Sequence, residues 1–121
     1  MERHTQNEFP KTMNQCFPEL FFHDTHTTDY ITPPQKPDIT VTSIKTHPSA
    51  QTVLAFIELK SRRCNIDGSA KGEVISAVNR LHNRLIVKRD IYGFALNVNE
   101  ERNVFIYLKK KDGLFPHPSL I

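Results

Sequence analysis

Three residues in this chain have the types and spacing of a phosphoryl-transfer site: Asp38, Glu58 and Lys60. Asp38 follows Pro37 and opens the β-branched run ITVTSI, residues 39–44. Glu58 and Lys60 flank Leu59 at the end of an apolar stretch, VLAFI. Strand side chains alternate between faces, so Glu58 and Lys60 share one face and Leu59 takes the other. Two carboxylates a few ångströms apart repel unless a cation neutralises them. Mg2+ or Mn2+ suits such a pair, because hard cations take carboxylate, carbonyl and water oxygens. The backbone carbonyl of Leu59 is a third candidate ligand. A metal there would acidify a water and stabilise charge on a phosphate. Lys60 adds a positive charge that orients or helps deprotonate the attacking water, or stabilises the phosphorane.

This chemistry requires two neighbouring antiparallel strands. The sequence supplies KPDITVTSI and TVLAFIELK, separated by the turn KTHPSAQ, which is short enough for direct pairing. The continuous apolar run of the second strand reads as burial on both faces, as in a central strand. A helix follows, capped by Asp67 or Ser69 and ending near Leu85. Val74, Ala77, Val78, Leu81 and Leu85 form its single apolar face. DIYGFALNV and NVFIYLKK read as two further strands joined by a hairpin.

Residues 1–35 carry Pro10, Pro18, Pro33 and Pro34, so no long helix is expected there. A short helix around Pro18–His23 is the one regular element read in that segment, with Pro18 in its first turn. The division is a poorly defined segment at 1–35, a core at 36–110 and an irregular tail at 111–121. The fold class is α/β (α+β), with a central mixed sheet of about four strands flanked by helices.

The chain has 121 residues, enough for one small core. Its net charge of +3 and pI of about 9.0 suit a polyanionic partner. Neither a phosphate-binding glycine loop nor a C-x-x-C zinc spacing occurs. Cys16 and Cys64 read as free thiols. The N-terminus lacks the apolar stretch of a secretory signal and no run is long enough to span a membrane, so an intracellular protein with no membrane partner is expected.

The segments KPDITVTS, VLAFIELKSRR, AKGEVISAVNRL and IYGFALN together resemble the PD-(D/E)XK restriction-endonuclease-like superfamily. Pro37–Asp38 matches its PD element and Glu58-Leu59-Lys60 its (D/E)XK element. Over Lys36 to Lys109 the chain is most similar to the nuclease-like domains of Crinkler-type effectors. The resemblance implies a restriction-endonuclease-like core and a Mg2+- or Mn2+-dependent nuclease, with DNA favoured over RNA as partner. Asp38 and Glu58 would be metal ligands and Lys60 the catalytic lysine. It also implies a nuclear site of action. Many relatives carry a Gln on the helix after the lysine, often with a Tyr four residues on; Glu73 and Ala77 stand in those slots here. An acidic residue on the first helix often completes the site, and Glu19 is the candidate. A strand usually precedes the PD strand, and only DYIT, residues 29–32, is seen to serve.

Glu73 is also a candidate third carboxylate at the metal site. Arg80 and Arg84 lie on the same helical face. With Lys71, Arg62 and Arg63 they could line a phosphate-contacting rim, or be an ordinary solvated face. His23 to His26, HDTH, has metal-capable types on an expected loop. Tyr92 and Phe94 read as core and sheet surface ahead of base-stacking platforms, and LKKKDG as a solvated strand end ahead of a phosphate patch. Against the nuclease stands a module of the same fold that binds nucleic acid or a protein partner without cleaving. A homodimer, or a place within a larger multidomain protein, is compatible with both.

Overall fold

The computed structural model describes residues 2–28, 31, 33, 36–60, 68–97, 104–111 and 117–118, the side chains of 2–7 and 117–118 excepted. The elements in chain order are α1 (Glu2–Cys16), β1 (Phe21–Asp24), β2 (Ile39–Thr42), β3 (Val53–Lys60), α2 (Gly68–Arg84), β4 (Ile91–Asn97), β5 (Val104–Lys109) and β6 (His117–Pro118). They form a six-stranded sheet in the order β1-β2-β3-β4-β5-β6. Among the described residues only β3 and β4 pair in parallel. A parallel pair needs a long crossover, and α2 supplies it. The α+β class holds, but the strand count exceeds the expected four because β1 and β6 extend the two edges. Among the described residues no helix is long and apolar enough to cross a membrane.

The two faces of the sheet carry separate cores. On one, α2 buries Val74, Ala77, Val78 and Leu81 against Phe56, Ile91, Ala95 and Tyr107. On the other, Phe22, Ile39, Val41, Ala55, Ile57 and Leu59 meet Phe9 and Met13 of α1. Strand parity sorts them: 55, 57 and 59 face α1, while 56, 58 and 60 face α2. Helix α2 seats unusually close because Gly93 lies under it. A Cβ there would come within 2.5 Å of Val74 Cγ1 and 2.7 Å of Val78 Cγ2.

The N-terminal third departs from expectation. Helix α1 runs for 15 residues with Pro10 inside it, where a proline was expected to stop any long helix. Pro10 removes one backbone hydrogen bond and costs the helix about 3 kcal/mol. Burial of Pro10 and docking of Phe9 and Met13 on the sheet offset that. Phe21–Asp24 is strand, not helix, since Phe22 turns into the core while its neighbours do not. Asn14 fixes α1 to this strand by accepting from the Phe22 amide at 2.8 Å and donating to its carbonyl at 3.3 Å. Strand β1, rather than DYIT, therefore precedes and pairs with the Asp38 strand. Of DYIT only Ile31 is described, and it is a fully buried residue at a bend. In the tail, residues 117–118 pair with β5 as β6 instead of remaining irregular.

Candidate active site

Strands β2 and β3 are antiparallel, with Ile39 opposite Ile57. Continuing that register by one residue sets Asp38 opposite Glu58. The two are interlocked. Asp38 Oδ2 accepts from the Leu59 amide at 2.8 Å. Glu58 Oε1 accepts from the Asp38 amide at 3.3 Å. Each carboxylate is thus aimed by the backbone of the other strand.

Lys60 projects from the same face of β3 as Glu58, and α2 brings Glu73 to it, with Nζ 3.7 Å from Glu73 Oε2. Both side chains retain solvent contact, so the ion pair itself contributes little to stability. Glu58 and Glu73 line a cavity of about 300 Å³ with Lys36, Pro37 and Ala77. Burial drives the Glu58 carboxyl up to about 8, the charges of Asp38 and Glu73 push in the same direction, and Lys60 offsets them only in part. The cleft therefore gathers Glu58, Asp38 and Glu73, with Lys60 and Lys36 as the cations beside them. That donor set of paired carboxylates fits a hard divalent cation. Among the described residues no group of three or more His, Cys, Asp or Glu is arranged to hold a metal, so any such site rests on the carboxylate pair and backbone oxygen.

The other expected contributors are scattered. Glu19 is exposed in the turn before β1. Phe21 of that strand pairs with Thr42, at the far end of β2 from Asp38, so Glu19 stands away from the site. Arg62 and Arg63 lie outside the described residues. Lys71 sits over the Phe105 ring at 5.5 Å from its centroid. Phe105, Ala95 and Glu58 occupy one row across β5, β4 and β3, which places Lys71 about 10 Å along the sheet from the site. Arg80 and Arg84 donate to the carbonyls of Pro33 and Ile31. Both arginines are exposed, as on a solvated helix face, and these bonds also tie residues 31 and 33 to α2.

His23 and His26 do not converge. His26 Nδ1 meets Asp24 at 2.5 Å, whereas His23 Nε2 meets Thr42 Oγ1 at 2.9 Å. Tyr92 stacks on Phe94 with ring centroids 6.2 Å apart, but on the α1 face, opposite the carboxylates. They border an apolar groove of about 500 Å³ between α1 and the sheet. Lys110 lies 3.9 Å from Asp90, and the Lys111 amide donates to Asp90 at 2.7 Å, away from the cleft. Cys16 is a free, exposed thiol at the end of α1, and Cys64 lies outside the described residues.

Sequence reasoning passed over Lys36, whose place in the cavity follows from its position two residues before Asp38. It also passed over Thr25. This threonine is 2% exposed, and its amide donates to the Asp38 carbonyl at 3.0 Å. Nothing in its local sequence distinguishes it from an ordinary loop threonine.

No family model, curated protein or solved structure matches the chain.

Proposed function

We propose that the chain is a divalent-metal-dependent nuclease domain with a restriction-endonuclease-like core, acting on nucleic acid with DNA favoured. One observation carries the reading: Asp38 and Glu58, 20 residues apart in sequence, interlock on adjacent strands beside Lys60. Asp38, Glu58 and the Leu59 carbonyl would hold Mg2+ or Mn2+, which supplies Lewis acidity and neutralises charge at a phosphodiester. Lys60 would orient or help deprotonate the attacking water, or stabilise the phosphorane. Water adds to phosphorus, and the bond from phosphorus to the departing sugar oxygen breaks. Glu73 restrains the Lys60 ammonium at the cleft wall, and Lys36 at the cavity rim offers a charge to a neighbouring phosphate. The basic net charge suits this polyanion, and the likeness to Crinkler-type domains makes the nucleus the proposed site of action.

The test is a cleavage assay on single- and double-stranded DNA and RNA with Mg2+ or Mn2+. Wild type cleaves, while Asp38→Ala and Lys60→Ala lose on the order of 10²-fold or more in rate. Equal residual cleavage by all three rejects the catalytic reading.

A second reading is a nuclease-fold module that binds without cleaving. The observation favouring it is Glu73, which stands in the helix slot where many relatives carry Gln, lies 3.7 Å from the Lys60 ammonium and cannot donate to a phosphate. Salt-sensitive DNA binding without metal-dependent cleavage would select that reading.

A further inference from the structure

We propose that Thr25 is a positioning residue for Asp38, acting through the backbone on either side of it. The consequence for metal binding rests on the nuclease reading above, but the direct signature does not. Thr25 follows the last residue of β1 and is buried against the entrance to β2. Its hydroxyl donates to the Pro37 carbonyl at 2.7 Å, and its amide donates to the Asp38 carbonyl at 3.0 Å. A hydroxyl has one proton. With that proton committed to Pro37, the Thr40 hydroxyl, 2.8 Å away and itself fully buried, donates to Thr25 Oγ1.

One residue therefore grips two successive carbonyls, one before the Asp38 amide and one after its Cα. Pro37 is fully buried and its ring fixes its own φ, so Thr25 completes a rigid mount for Asp38. The mount aims the Asp38 carboxylate at the Leu59 amide and the Asp38 amide at Glu58. Thr25 touches neither cleft nor cavity. Its influence passes through the chain, as that of groups supporting a metal ligand does.

Thr25→Val keeps the shape and removes the hydroxyl, while Thr25→Ser keeps the hydroxyl. Amide exchange by NMR on the metal-free protein reads the effect at Leu59, with Ile57 of the same strand as the internal control. In Thr25→Val the Leu59 amide exchanges about tenfold faster relative to Ile57, and Thr25→Ser restores the wild-type ratio. A purely structural role speeds both amides alike, and that result overturns the proposal. Thr25→Ala carries the same comparison if the valine variant does not fold. Titration with Mn2+ alone then shows affinity weakened about 10–100-fold in Thr25→Val, and unchanged affinity there also overturns it. Asp38→Asn in the same titration separates the two claims. If it binds Mn2+ as wild type does, the metal-site reading fails, and the Leu59-to-Ile57 ratio alone decides the role of Thr25.

Discussion

Replacing Glu58 by glutamine should make the metal-free protein more stable at alkaline pH. The carboxyl at this position is pushed from an ordinary 4.5 to about 8, first by burial and then by Asp38 and Glu73. Between those values the native state keeps a proton that the unfolded state has released. Stability must therefore fall as pH rises through this window, and the full cost persists above pH 8. A span of about 3.5 pH units at 1.36 kcal/mol each sets a ceiling near 5 kcal/mol. Glu58 is only partly buried at the cleft, and solvent screening brings the expected effect to about 2–3 kcal/mol. Glutamine mimics the protonated acid and its carbonyl oxygen can still accept from the Asp38 amide. Urea unfolding followed by circular dichroism, in EDTA from pH 5 to 9, provides the comparison. The two proteins should match near pH 5, with wild type falling progressively behind the variant toward pH 9. Curves that run parallel across this range would refute the reasoning that burial and the neighbouring carboxylates keep a proton on Glu58 in the native state.

Gly93→Ala should destabilise the fold by about 1–3 kcal/mol, because its methyl would strike Val74 and Val78 and lift α2 from the sheet; thermal unfolding checks this. The same variant should weaken the Lys60–Glu73 contact, which depends on the close seating of that helix. His82 is buried and its Nε2 has no hydrogen-bond partner among the described residues. Burial, with Lys88 and Lys109, lowers its proton affinity, so the unfolded chain takes up a proton that the native state resists. Stability should then decline as pH falls below the ordinary histidine value of 6.5, and His82→Phe should flatten that decline in acid titrations of unfolding.

The parts of the site legible in the sequence are those governed by local chemistry. The alternation of residues 39–42 and the apolar run of β3 declare two strands, and a short turn makes them antiparallel neighbours. That places Asp38 next to Glu58 and Lys60, while the exact register, with its shift between Val41 and Thr42, came only from the structure. Helix α2 was equally legible, since its five apolar positions repeat at helical spacing and all are buried. What was hidden depends on tertiary contact. Pro10 argues locally against α1, and only the sheet face that receives Phe9 and Met13 overrides it. Phe21 and Phe22 after a proline resemble a helix start until β2 offers its edge. The meeting of Glu73 with Lys60 depends on how deeply α2 sits over Gly93, a distance that no spacing encodes. Arg80 and Arg84 have the look of surface charges, and their carbonyl partners at residues 33 and 31 lie far away in sequence.

The proposed nuclease requires the Asp38 and Glu58 carboxylates to hold a divalent cation together. Crystals grown with Mn2+ and measured for anomalous scattering test it most directly. A peak is expected in the cleft within about 2.3 Å of an oxygen from each carboxylate. Crystals in Mn2+ with no peak there, and with Asp38 and Glu58 still bonded to the opposing backbone amides, would contradict it.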